Sequence, residues 1–272
     1  MNSIRAMGVR EYTYLGVLSI LWGGSFVFIK LALTGLPPLW IVFFRVFVGG
    51  MILLGYSRIL GNGLPRNLRI WGSFFVMGVL NNVIPFIFIT WGQQFVPAGL
   101  ASLLNASTPF FTVIVAHLVT QDEKLNLPKI SGVCIGFVGV AILIGVDSFR
   151  RHAYSLKGEL AIIGAAISYA LAGAWGRRFQ SLNIPPLITA TGQLICSSTV
   201  LLVILILTGT QGNFSCPSFL PLGAVLGLSF LSTALAYVLY FHILSTSGAT
   251  NMLLVTFLIP VTTILLGVFF FR

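Results

Sequence analysis

Acidic residues are nearly missing from this chain: Asp and Glu together number 5 in 272 residues, against 15 Lys and Arg. The five, Glu11, Asp122, Glu123, Asp147 and Glu159, all map to loops or to the ends of apolar runs. No carboxylate pair is therefore available inside an apolar run for acid–base catalysis, nor the intramembrane carboxylate that a proton-coupled pump keeps. Histidine is equally scarce, at 3, so no metal cluster is legible and no cofactor is expected. Cysteine also numbers 3, an odd count, and Cys134 and Cys196 lie in apolar runs as small hydrophobes, away from Cys216. No disulfide framework is implied. Polar surface is the largest deficit. With 7% charged residues, 57% hydrophobic residues and a mean hydropathy of +1.02, the chain cannot cover a soluble domain of its size.

What the chain has is apolar runs, most of them long enough for a hydrocarbon core about 30 Å thick, which takes roughly 20 helical residues. Runs such as Ser131 to Val146 and Leu194 to Leu207 are apolar on every side, which fits helices and not barrel strands. The expected spans are 12–33, 39–60, 70–91, 97–119, 127–146, 158–178, 186–207, 220–243 and 248–271. The first is too long for a signal-peptide core and lacks a small-x-small site at its end, so it is expected to be retained. The net charge of +10 is scattered over short loops, not gathered on one basic face, so no nucleic-acid partner is expected. With a cytoplasmic N-terminus, Arg5, Arg10, Arg58, Arg66, Arg69, Lys124, Lys129, Arg177 and Arg178 fall inside, and Arg150, Arg151, Lys157 and Arg272 outside. That orientation obeys the positive-inside rule.

The chain also repeats. Leu36-Pro37-Pro38-Leu39 returns as Ile184-Pro185-Pro186-Leu187, 148 residues on, and Ala98 to Pro109 matches Ala249 to Pro260, 151 residues on. Five spans per copy, an odd number, make the copies cross the membrane in opposite senses. The expected fold is an all-α membrane protein of two inverted five-helix repeats, 1–146 and 147–272, with nine transmembrane helices present and a tenth missing. The counterpart of the acidic loop at Asp122 falls just beyond Arg272, so a fragment is the favoured reading of the missing helix.

This plan resembles the drug/metabolite transporter superfamily. Leu21-Trp22-Gly23-Gly24-Ser25-Phe26 with Lys30 is similar to the first-helix pattern of its EamA-type exporters, and Pro38 with Arg45 to the second-helix pattern. Asn105 to Pro109, followed by Asp122-Glu123, resembles the end of the first EamA unit. The chain departs from the pattern in its tenth helix and at Gln193, which stands where Arg45 would repeat. The resemblance implies export of small metabolites, amino acids or drugs through a central cavity lined by helices one, three, four, six, eight and nine. It also brings Ser25 into the candidate set.

A midplane cavity needs polar groups that would be costly against lipid. Asn81, Asn82, Asn105, Ser107, Thr108, Asn251 and Thr256 are the candidates, each weighed against ordinary interhelical hydrogen bonding. Pro85, Pro109 and Pro260 lie within spans and free carbonyls, and Pro109 with Pro260 form a matched pair of expected helix breaks. Trp22, Phe26, Phe86, Tyr169, Trp175, Tyr237 and Tyr240 could wall the cavity, although Phe alone numbers 23 and most aromatics must face lipid or neighbours. Trp22 and Tyr237 lie far enough from span ends to be the better candidates. Lys30 and Arg45 lie toward the outer ends of their spans, so snorkelling is the simple reading. A sharper one has Arg45 attracting a substrate carboxylate or holding an outer gate. With no carboxylate inside a span, facilitated export is favoured, and proton coupling through His117 and His242, near the inner ends of spans four and eight, is the less favoured alternative. The pairs Gly132/Gly136 and Gly223/Gly227 are read as helix contacts. The sequence thus points to an exporter of small organic solutes, not an enzyme, with membrane lipids as its surroundings and oligomeric state open. A non-transporting scaffold, an inactive fragment, or a drug or nucleotide-sugar type transporter remains an alternative.

Overall fold

The computed structural model describes residues 8–119, 127–144, 155–209, 218–240, 242–243, 252 and 254–271. Asn251, Cys216, the acids Asp122, Glu123 and Asp147, and Arg5, Lys124, Arg150, Arg151 and Arg272 lie outside the described residues.

The described residues form helices α1 (Val9–Ala32), α2 (Pro38–Ile59), α3 (Leu68–Gly92), α4 (Ala98–Val119), α5 (Leu127–Ile144), α6 (Leu156–Ser181), α7 (Pro186–Leu207), α8 (Phe219–Tyr240) and α9 (Leu254–Phe271), with no strand among them. Seven of these, all but α5 and α9, have the length and apolar composition to cross a membrane. The large apolar side chains left exposed, among them Ile59, Phe75, Ile206 and Phe219, suit a lipid surface.

Local chemistry starts these helices where it should. Both α2 and α7 open on a Pro-Pro pair whose second member takes the first helical position, where a missing N–H costs nothing. The repeated motif thus does one job twice. At the start of α3, the Asn67 side chain accepts the Arg69 N–H at 2.9 Å.

Helix α1 packs on α9 and α8, α2 on α7 and α8, α3 on α7 and α6, and α4 on α6 and α9. Exchanging α1–α4 with α6–α9 turns these pairings into one another. The α1–α9 seam is held by two threonines: Thr262 Oγ1 donates to the Ser19 carbonyl at 2.7 Å and Thr263 Oγ1 to the Gly23 carbonyl at 3.1 Å. Gly23 allows this approach, because a Cβ there would collide with Thr262 and sit 3.0 Å from the Ile259 carbonyl oxygen. Tyr169 of α6 packs against two buried clusters, one around α1, α4 and α8 and one around α2, α3 and α7.

Candidate functional site

Two of the helices carry an irregularity at mid-length. Residues Val79–Val83 of α3 and Phe230–Leu235 of α8 are π-helical, each absorbing extra backbone into a widened turn. The two segments begin 151 residues apart, the same spacing that relates Pro109 to Pro260. Such turns expose carbonyls and re-aim side chains, and they recur at functional sites.

In α3 the widened turn presents Asn81 and Asn82, with Pro85 just beyond. Proline has no N–H to give, and the Leu80 carbonyl instead accepts the Ser168 hydroxyl of α6 at 2.6 Å. In α8 the widened turn presents Ser232, which donates to the Leu21 carbonyl of α1 at 2.6 Å, and Thr233.

The asparagines enter a ring of hydrogen bonds across α3, α7 and α8. Asn81 Nδ2 donates to Gln193 Oε1 at 3.2 Å and to the Tyr237 hydroxyl at 3.3 Å. The Tyr237 hydroxyl donates to Asn82 Oδ1 at 3.1 Å, and Asn82 Nδ2 to Ser197 Oγ at 3.0 Å. Ser197 Oγ closes the ring on the Gln193 main-chain carbonyl at 2.6 Å. Asn82, Gln193 and Ser197 are fully or almost fully buried, so each of these bonds satisfies a group that water cannot reach.

Beside the ring stands Arg45 of α2. The snorkelling expectation fails: Arg45 is 6% exposed and turned inward. Its Nε donates to Thr233 Oγ1 at 3.1 Å, and its guanidinium carbon lies 3.7 Å from the Phe86 ring centre. Tyr169 and Tyr237 pack against the same buried cluster as Phe86. So α2 engages the π segment of α8 through Arg45, and α7 engages the π segment of α3 through Gln193, the residue 148 positions later.

A family model described as the EamA-like transporter family matches residues 10–145 and again 156–272. The chain belongs to that family. Among the relatives of this EamA-like transporter is Uncharacterized transporter YoaV of Bacillus subtilis, 25% identical, with 93% of this chain and 86% of YoaV covered. Protein PecM of Dickeya dadantii is 26% identical over 92% of this chain and 81% of PecM. The protein named Uncharacterized inner membrane transporter YedA of Escherichia coli K12 is 24% identical over 93% of this chain and 80% of its own. A crystal structure superposes with a TM-score of 0.72 over 94% of this chain and 88% of its own, at 20% identity, which shows the shared fold. The protein is a multi-pass membrane transporter by family.

The other residues singled out from the sequence of this EamA-like transporter fall into three groups. Asn105 closes the first half of α4, which breaks at Ala106 and Ser107 before Thr108 and Pro109 resume it. Thr108 Oγ1 donates to the Asn105 carbonyl at 2.7 Å across the break, while the buried Asn105 Oδ1 has no hydrogen-bond partner among the described residues. Pro260 differs from expectation. Helix α9 runs through it without a break, so the matched irregularities of the two halves are the π segments and not the prolines. Thr256 is half-buried on α9.

A second group packs. Ser25 Oγ donates back to the Trp22 carbonyl at 2.6 Å, Phe26 is buried in the α1–α4–α8 cluster, and Trp22 lies against Tyr240 with ring centres 5.7 Å apart. A third group sits at helix ends. Lys30 Nζ donates to the Gln93 carbonyl at 2.9 Å, holding the last turn of α1 to the end of α3. Trp175 Nε1 donates to the Ser73 carbonyl at 3.2 Å, with Arg178 5.2 Å from its ring, away from the asparagines. Sequence reading missed Ser168, Ser197 and Thr233 and treated Gln193 as a lost charge. Thr233 and Gln193 leave a trace in the sequence, each a polar side chain in mid-run at the repeat offset from Asn82 or Arg45, whereas Ser168 and Ser197 stand at no such offset.

Proposed function

We propose that this protein carries small organic solutes across the membrane by alternating access, with amino acids and related metabolites first among them and export as the direction. The solute cavity lies at the polar ring, and the halves 1–146 and 147–272 are inverted copies that rock about it. The observation that carries this reading is the pair of π segments at matched positions, each engaged by a matched polar side chain, Arg45 or Gln193. Helix irregularities at corresponding places in two halves are where transporters bind their solutes. The self-consistent exchange of helix pairings supports the inverted arrangement. The cation distribution supports a plasma-membrane or inner-membrane protein with a cytoplasmic N-terminus.

Counterflow in proteoliposomes tests it, with vesicles loaded in turn with amino acids, organic acids, nucleosides and cationic drugs. Saturable exchange of one class is expected. Failure of every class, from protein that melts cooperatively, would overturn the reading in favour of a scaffold.

Asn105 separates transport from folding. Its side chain makes no hydrogen bond among the described residues, so Asn105→Leu removes a buried orphan acceptor and is expected to leave the melting temperature unchanged or higher. If Asn105 Oδ1 receives a donor of the solute, exchange should fall about tenfold, the equivalent of about 1.4 kcal/mol. Unaltered exchange in this variant would remove Asn105 from the cavity.

A further inference from the structure

We infer that the solute bears a single carboxylate, and that Arg45 holds it through the edge formed by its two terminal guanidinium nitrogens. The inference rests on the transport reading and adds to it a chemical class and the residue that selects it.

A guanidinium has five N–H donors in a rigid fork and accepts nothing. Here the Nε donor is taken by Thr233, and one face is covered by Phe86 at 3.7 Å. Among the described residues no other hydrogen bond and no ion pair reaches Arg45, so the terminal nitrogens keep their donors. The described acids are remote in the fold: Glu11 lies in the first turn of α1 and Glu159 in the first turn of α6. Among the described residues a cation this deeply buried, at 6% exposure, has none of the counter-charge that buried charges otherwise have. With one edge occupied and one face stacked, what remains suits a planar anion that receives two parallel N–H donors, which is carboxylate geometry.

Charge balance narrows the class. Of the other cations in the first two helices, Arg10 and Arg58 stand in the first turn of α1 and the last turn of α2, and Lys30 is committed to the Gln93 carbonyl at the end of α3, so the site offers one positive charge. One carboxylate neutralises it, whereas a phosphate monoester would leave up to about one negative charge uncompensated in surroundings shielded from water. Phe86, which stacks on the guanidinium, packs in one cluster with Tyr169 and Tyr237, and these aromatic surroundings suit a carboxylate carried on an apolar or aromatic body. A purely structural Arg45, clamping α2 to α8 through Thr233, predicts no discrimination between a carboxylate and its amide.

The experiment measures binding and transport separately on the full chain, using benzoate against benzamide, isovalerate against isovaleramide, phenylalanine against phenylalaninamide, and inorganic phosphate. Thermal shift of the purified protein reads binding, and counterflow reads transport. The expected result is stabilisation and exchange by the carboxylates and neither by the amides or phosphate. In Arg45→Gln the apparent affinity for carboxylates should fall about tenfold or more, to the level of the amides. Should that variant not fold, Arg45→Lys keeps the charge and loses the fork, and is expected to weaken carboxylate binding while keeping its sign of preference. Equal binding of acid and amide by the unmodified protein, stronger binding of phosphate, or discrimination that survives in Arg45→Gln would overturn the assignment. Discriminating binding without any exchange would overturn the transport reading and leave the carboxylate site standing.

Discussion

Asn82→Leu is expected to slow solute exchange about tenfold or more while the protein still inserts and folds. Asn82 is the hinge of the polar ring: its Oδ1 receives the Tyr237 hydroxyl at 3.1 Å and its Nδ2 donates to Ser197 at 3.0 Å. Leucine would remove both the acceptor that the Tyr237 hydroxyl uses and the donor that Ser197 Oγ receives, and the loss of a buried polar partner costs about 1–3 kcal/mol, where about 1.4 kcal/mol is tenfold in rate. Interhelical hydrogen bonds in membranes average about 0.6 kcal/mol in stability, so the loss should show in transport before it shows in melting. Ser25→Ala supplies the contrast. Among the described residues the Ser25 hydroxyl bonds only to the carbonyl of its own helix at Trp22, so its loss should change exchange less than about twofold. Counterflow rates for the two variants in matched proteoliposomes decide the matter. Equal effects would mean that the ring is packing and nothing more.

The largest loss of stability should come from a single methyl group. Gly78 lies one residue before the π segment of α3, and a Cβ there would stand 2.7 Å from both the Gln193 carbonyl oxygen and Ser197 Oγ on α7. A main-chain oxygen cannot swing aside as a side chain can, so Gly78→Ala must push α3 from α7 at the place where the ring joins them. Overpacking of this kind costs about 1–3 kcal/mol. For a chain of this size that corresponds to a fall in melting temperature of about 5 °C. Gly72, six residues earlier on the same helix, is exposed and has nothing within 4 Å of its Cβ position. There the same substitution gains the helix preference of alanine over glycine, about 1 kcal/mol, with nothing set against it. Opposite shifts in melting temperature are therefore expected from one chemical change at two sites. A drop at both would point to helix flexibility, not contact, as the determinant.

The legible and illegible parts of this fold divide along a physical line. Spans are legible because a hydrocarbon core demands long apolar runs, and the Pro-Pro openings of α2 and α7 mark their starts by proline chemistry. Which way a side chain faces inside a span is not legible. Lipid and protein core are about equally apolar, so no hydrophobic stripe points inward in a helix that is apolar all round. Arg45 shows the consequence, since its distance from the helix end suggests the interface while its side chain turns to Thr233 and Phe86. The π segments leave still less trace. Their only marks are polar pairs, Asn81-Asn82 and Ser232-Thr233, that become conspicuous once the spacing of 151 is laid over the chain. Gln193 carries the opposite lesson: the sequence shows its position as one where charge is lost, and the structure shows a hydrogen-bonding partner of Asn81.

The bond between Arg45 and Thr233 joins residues 188 positions apart, and this separation sets a timetable for biosynthesis. At about 5–20 residues per second, helix α2 leaves the ribosome roughly 10–40 seconds before Thr233 exists. During that interval Arg45 must be carried by a helix whose hydrogen-bonding partner has not been made, and on insertion scales an arginine costs up to about 2.5–3.5 kcal/mol, the value at the bilayer centre. Until α8 arrives, α2 is therefore expected either to shift toward the lipid headgroups or to stay beside the insertion machinery.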